Sequence, residues 1–160
     1  MTGRNGKDAE DRDTLEIGRR LIAAEAICAA RGDRLNSPGR RVLKALLASG
    51  RPLKAYDLMY ELGDRDRPAA PPTVYRALRV LIAAGLAHRI ETLNAFVACR
   101  VPAEPHLAGF RVCEACGTAE EVALDGLPPG VAAGVHDRLV FEVITRCAAC
   151  AGQAQPDRGG

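Results

Sequence analysis

The chain has 160 residues, 48% of them hydrophobic and 26% charged, with a net charge of +2 at pH 7. That is the composition of a globular protein with room for one ordinary domain or two small ones, and no run of about 18 apolar residues offers a membrane span. Aromatic residues make up 4% of the chain and Trp is absent, so a core has to be built mainly from Leu, Val, Ile and Ala.

Residues 1–12 are polar and carry both signs of charge, which predicts a flexible arm. From about Asp13 to Arg31 an Ala-rich stretch with Leu15, Leu21, Ile22, Ala26 and Ile27 predicts a first helix, with Gly32 as its stop. Ser37 before Pro38 reads as an N-cap with proline in the first turn. Leu43, Leu46 and Leu47 then share one face as far as Gly50. A third helix is expected from about Lys54 to Leu62. A loop from Asp64 to Pro72 follows, in which Pro68, Pro71 and Pro72 each lack a backbone donor. The most regular helical pattern lies between Thr73 and Ala84. There Val74, Leu78, Leu81 and Ile82 make one apolar stripe, and Tyr75, Arg76 and Arg79 occupy the other face.

Gly85 closes that helix, and Leu86 to Glu91 and Ala95 to Arg100 read as two short strands around a Leu93-Asn94 turn. Helices followed by a hairpin is the winged-helix order, in which the helix exposing Tyr75, Arg76 and Arg79 would lie in a major groove. Charge agrees with this. Residues 1–91 hold 17 Lys plus Arg against 12 Asp plus Glu, a net of +5, and residues 92–160 hold 5 against 8, a net of −3. A basic first half joined to an acidic second half suggests a polyanion-binding module beside a metal-binding one.

Residues 101–106, with two prolines, read as a hinge. Gly109 to Val112, Ala119 to Leu124 and Leu139 to Ile144 are expected strands, and Val131 to Asp137 a short helix. The expected organisation is therefore an arm (1–12), a winged-helix domain (13–100), the hinge, a second α/β domain (107–152) and a flexible tail (153–160).

The chemistry of the second domain lies in two Cys-x-x-Cys pairs, Cys113 with Cys116 and Cys147 with Cys150. Zinc takes four thiolate or imidazole ligands at tetrahedral corners, and a turn with two residues between thiols supplies two corners at once. No apolar signal core follows Met1, and Cys28 and Cys99 stand apart from the pairs. A reducing cytoplasm, with zinc in place of disulfides, is the expected setting. A small buried hydrophobe is the expected role of Cys28.

Between Leu35 and Cys150 the chain resembles the bacterial ferric-uptake-regulator-type metalloregulators and, within them, the zinc-uptake regulators. The resemblance is carried by Ala55-Tyr56-Asp57-Leu58, Pro72-Thr73-Val74-Tyr75-Arg76-Ala77-Leu78, Leu86-Ala87-His88-Arg89-Ile90-Glu91, Phe96-Val97-Ala98-Cys99 and Cys113-Glu114-Ala115-Cys116-Gly117. It implies an α+β chain: an N-terminal winged helix-turn-helix domain and a C-terminal dimerisation domain with a four-cysteine zinc site. It also implies a homodimeric, zinc-dependent repressor of zinc-uptake genes on a palindromic DNA operator, with no membrane partner and no small-molecule substrate. A second, regulatory zinc site between the domains would take His88, Cys99, His106 and Glu121 as ligands, giving two ions per chain. Tyr56, Thr73, Tyr75 and Arg76 match the family's DNA-contact positions. Arg76 is expected on a base or phosphate, and Thr73 on phosphate through the helix N-terminus.

Iron-type relatives carry a histidine-rich run before the first cysteine pair. Here only His106 lies upstream, with Phe110 and Arg111 nearest Cys113, which favours zinc over iron or peroxide. Three other readings remain at this stage: a regulator sensing another metal, a redox switch with the Cys-x-x-Cys pairs as reversible disulfides, and a zinc hydrolase with Glu121 as base. His136 has no assigned role.

Overall fold

The computed structural model describes residues 5–64, 67–102, 108–122 and 140–152, with side chains from Arg12 onward. The chain divides into two compact units, Met1–Pro105 and His106–Gly160.

The first unit runs α1 (Asn5–Ala30), α2 (Ser37–Ser49), β1 (Leu53–Lys54), α3 (Ala55–Leu62), α4 (Pro71–Ala83), β2 (Ala87–Ile90) and β3 (Ala95–Ala98). This is a helical cluster closed by a hairpin. In α1 the buried residues are Leu21, Ala24 and Cys28, with Ile17 and Ile27 partly covered, whereas Leu15 and Ile22 are exposed. Spacings of three and four put Leu21, Ala24 and Cys28 on one side of the helix, so the stripe runs through small residues that a hydrophobicity reading passes over. Val42, Leu43 and Leu46 of α2, Leu58 and Leu62 of α3, and Val74, Leu78 and Leu81 of α4 complete an aliphatic core, joined by Phe96 from the hairpin.

Four boundaries differ from the sequence expectation. α1 begins at Asn5, inside the stretch expected as a flexible arm; helix formers such as Lys7, Ala9, Glu10 and Arg12 let the backbone ladder continue upstream. The cap of α2 is Asn36 and not Ser37: its Oδ1 accepts the Gly39 N–H at 2.9 Å, and Pro38 sits in the first turn. Pro71 and Pro72 belong to the helix, as the first two residues of α4, where a missing N–H costs no intrahelical bond. Finally, Leu53–Lys54 forms a two-residue strand that pairs with β3, too short to carry a periodic signal.

Two glycines matter locally. Gly85 takes a φ of +72° after α4 and directs the Leu86 N–H back to the Leu81 carbonyl at 2.8 Å, which turns the chain into the hairpin. Gly63, after α3, has the Arg67 carbonyl oxygen 2.2 Å from where a Cβ would stand, so no larger residue fits.

The sheet order of this unit is β1-β3-β2, antiparallel throughout, with His88 opposite Val97 and Ala87 opposite Ala98. At the turn, Asn94 takes a φ of +46° and its Oδ1 accepts the Arg89 guanidinium at 3.2 Å.

The second unit contains β4 (Ala108–Cys113), β5 (Ala119–Val122), β6 (Val140–Thr145) and the one-turn α5 (Ala148–Ala151). The order is β5-β4-β6, with β4 antiparallel to β5 and parallel to β6. A parallel pair needs a long crossover, and the connection runs through residues 123–139. The helix expected at Val131 to Asp137 lies in that segment, outside the described residues, as does the tail at 153–160. The central strand β4 buries Ala108, Phe110 and Val112.

Candidate metal centre and nucleic-acid interface

The parallel pairing of β4 with β6 sets Cys113 opposite Thr145, so both strands end side by side and both cysteine turns emerge at the same end of the sheet. After Cys113 a tight turn closes with the Gly117 N–H on the Cys113 carbonyl at 2.9 Å, Gly117 having a φ of +70°. After β6, Cys147 caps α5 and its carbonyl accepts the Cys150 and Ala151 N–H groups at 2.9 Å. Two separate turns thereby present four thiols to one point.

The four sulfur atoms lie within 4.8 Å of one another, and Cys116 Sγ is 3.8 Å from Cys147 Sγ. Four sulfurs held about 2.3 Å from a tetrahedral zinc are about 3.8 Å apart, so these donors fit that ion. A set with four protein ligands has no open position, which is the character of a structural rather than a catalytic site. Cys113 and Cys150 are buried, Cys147 is half-buried and Cys116 is exposed.

Electrostatics divide the four thiols. Backbone N–H groups, first that of Cys147 at 3.3 Å and then that of Cys116, stabilise the Cys113 thiolate and bring it down to about 6. Thr118, whose hydroxyl lies 3.0 Å from Cys116 Sγ, lowers Cys116 as well. Cys150 is pushed up to about 12 by thiol hydrogen bonds with Cys147 and then Cys116. Proton sharing of this kind is what four crowded sulfurs show before a divalent charge takes the protons' place. Outside the sulfurs, Glu114 ties the two turns together: its N–H donates to the Thr145 carbonyl at 2.9 Å and its carboxylate accepts from Arg146 at 3.2 Å.

In the first unit, the hairpin register puts Val97 opposite His88, and the Cys99 N–H donates to the Leu86 carbonyl at 3.0 Å. Cys99 is thus one diagonal step from His88 on the same face. A ring nitrogen of His88 and the Cys99 sulfur come within 4.8 Å, with Cys99 fully buried. Nitrogen and sulfur donors so placed suit zinc. The Arg20 guanidinium donates to the Cys99 carbonyl and links α1 to the end of the hairpin. Of the remaining expected ligands, Glu121 lies on β5 opposite Phe110 and is half-buried. His106, like His136, lies outside the described residues.

On α4, Val74, Ala77, Leu78 and Leu81 face the core, which leaves Tyr75, Arg76 and Arg79 exposed on the outer side. Thr73 is half-exposed. Its N–H bonds the Ala70 carbonyl at 3.0 Å, and the two residues before it are prolines without N–H groups. The expected route from Thr73 to phosphate through the helix N-terminus is therefore closed, and its hydroxyl is the group left to make that contact. Tyr56 is exposed on α3. The sequence reading missed Tyr60, one turn further on and also exposed, whose hydroxyl lies 2.8 Å from that of Tyr56. The four-residue spacing of two tyrosines in a chain with few aromatics was the available signal.

No protein-family profile matches the chain. It is 35% identical over 137 residues to the zinc uptake regulation protein of Escherichia coli (strain K12), which covers 81% of this chain and 80% of that protein. Among solved structures, a zinc uptake regulator complexed with zinc and DNA aligns with a TM-score of 0.71 and 30% identity, covering 84% of this chain and 94% of that one. Holo XcZur aligns with a TM-score of 0.65 and 34% identity, covering 83% of this chain and 97% of that one. With four thiols at zinc spacing, a winged helix exposing Tyr75 and Arg76, and this identity over most of both sequences, the chain belongs to the zinc uptake regulators of the ferric-uptake-regulator family.

Proposed function

We propose that this protein is a zinc-responsive repressor of zinc-uptake genes, acting in the cytoplasm as a homodimer on a palindromic DNA operator and carrying out no catalytic turnover. The observation that carries the reading is the continuity of α4 with the hairpin. The helix that exposes Tyr75 and Arg76 runs through Gly85 into the strands that bring His88 and Cys99 together. The similarity to a zinc uptake regulator complexed with zinc and DNA supports it.

Two ions per chain are proposed. Cys113, Cys116, Cys147 and Cys150 hold a permanent, structural zinc, because a three-stranded sheet with so small a buried set needs a further staple. His88 and Cys99, with Glu121 and His106, hold the second, regulatory ion. Bound zinc supplies a tetrahedral centre that fixes its ligands in one geometry. With it bound, His88 and Cys99 would stiffen the hairpin that follows α4. Arg76 meets guanine edges or phosphate, Tyr56 and Tyr75 contact the operator, and the Thr73 hydroxyl meets phosphate. In support of the homodimer, β6 is an edge strand among the described residues and exposes Val143 and Ile144.

By linkage, zinc can raise operator affinity only by the factor with which operator raises zinc affinity. Titrating labelled operator with the protein at buffered low and high free zinc tests the reading, alongside zinc content before and after mild chelation. Tighter operator binding at high zinc and two ions per chain, one easily removed, are expected. Operator affinity independent of free zinc would refute it.

A further inference from the structure

The chain contains three tyrosines, and none of them is in the core. Tyr56, Tyr60 and Tyr75 are 63%, 55% and 50% exposed. A protein with no Trp that leaves every tyrosine half in water is using these rings for something other than packing. Tyr75 lies on the proposed DNA-facing helix and Tyr56 among the proposed contacts. Tyr60 has no such role, and it does not anchor its own helix either, since Ala55, Leu58 and Leu62 do that from the opposite side of α3.

What Tyr60 touches is Tyr56. The two are four residues apart and stack edge to face, with ring centroids 4.9 Å apart and planes at 66°. Their hydroxyls are 2.8 Å apart. An isolated tyrosine on a helix surface samples more than one χ1 rotamer, and each must be frozen when the ring meets a ligand. Ring contact and hydrogen bond together select one arrangement beforehand. The hydrogen bond also consumes one hydroxyl proton, so the pair presents a single outward O–H whichever ring donates.

We infer that Tyr60 is a positioning residue for operator recognition, holding the Tyr56 phenol in its DNA-contacting rotamer through their shared hydrogen bond and edge-to-face contact. This rests on the reading that Tyr56 contacts operator DNA. Removing a pre-ordered rotamer is worth roughly two- to tenfold in affinity. The same hydrogen bond to Tyr60 holds the Tyr56 phenol above its ordinary titration range.

The test is a double-mutant cycle in the zinc-loaded full chain, reading operator affinity by fluorescence anisotropy at fixed salt. Tyr60→Phe, which keeps the ring and loses the hydroxyl, is expected to weaken binding roughly two- to threefold, and Tyr60→Ala up to about tenfold. In a Tyr56→Ala background neither change should have an effect. A spectroscopic check separates positioning from general structure: in Tyr60→Phe the remaining shifted phenol should return towards its ordinary range by absorbance titration, with the melting temperature unchanged. Tyr60 substitutions that cost nothing in the parent, or cost the same with and without Tyr56, would overturn the inference. Tyr56→Ala that leaves operator affinity untouched would instead sink the reading beneath it.

Discussion

Replacing Cys113 by serine tests the four-thiol centre where its chemistry is most exacting. The Cys113 sulfur receives the Cys147 N–H at 3.3 Å, which brings its thiol down to about 6 and favours the thiolate form that zinc binds. A serine hydroxyl is not ionised near pH 7 and is a poor zinc ligand, so one of four bonds is lost. A structural zinc is worth about 10–16 kcal/mol near pH 7, and an equal share per ligand is about 2.5–4 kcal/mol, a roughly 10²- to 10³-fold weaker site. The loss should also appear as folding free energy, because metal that binds only the folded arrangement of the four thiols stabilises that arrangement. The assay is zinc competition against a chromogenic chelator of known affinity, paired with thermal melting by circular dichroism. Weaker zinc retention together with a lower melting temperature is expected. A serine variant whose zinc affinity stays within threefold of the parent and whose melting is unshifted would refute the assignment.

Substituting His88 by alanine together with Cys99 by serine should lower zinc content from two ions per chain to one and leave operator affinity insensitive to free zinc, measured by elemental analysis and gel shift. Retention of both ions would remove the hairpin pair from the regulatory site. Arg76→Ala should cost about 1–3 kcal/mol of operator affinity if the guanidinium reads a guanine, with most of the loss specific to sequence. An equal loss on unrelated DNA would mark a phosphate contact instead. Cys28 is fully buried, and desolvation followed by the nearby Asp33 charge pushes its thiol above the ordinary value. Less of it is thiolate at any given pH, so in alkylation of native protein followed by peptide mapping Cys28 should react slowly and become fast only on unfolding; fast labelling of the native protein would refute its burial.

Helix α4 was readable because Val74, Leu78 and Leu81 repeat at helical spacing, and the same spacing assigned Tyr75 and Arg76 to the outer face. Its start was misplaced because proline reads as a breaker, while Pro71 and Pro72 occupy the two positions where a helix needs no donor. The cap of α2 was displaced by one residue for a related reason: Asn36 and Ser37 are both good caps, and only the 2.9 Å bond to the Gly39 N–H separates them. The buried side of α1, through Ala24 and Cys28, carries too little hydrophobicity per residue to stand out from Leu15 and Ile22, which face water.

Local spacing by itself determined that two cysteine turns exist and that each can offer a pair of thiols, since the geometry of a four-residue turn depends on nothing beyond it. Their meeting within 4.8 Å was decided by the parallel register of β4 and β6, which sets Cys113 opposite Thr145 across a gap of some thirty residues. Tyr60 belongs to the same class of fact. Its position one turn from Tyr56 is written in the chain, but its hydrogen bond and ring contact depend on which side of α3 the aliphatic core claims, and that is settled only when the helices pack.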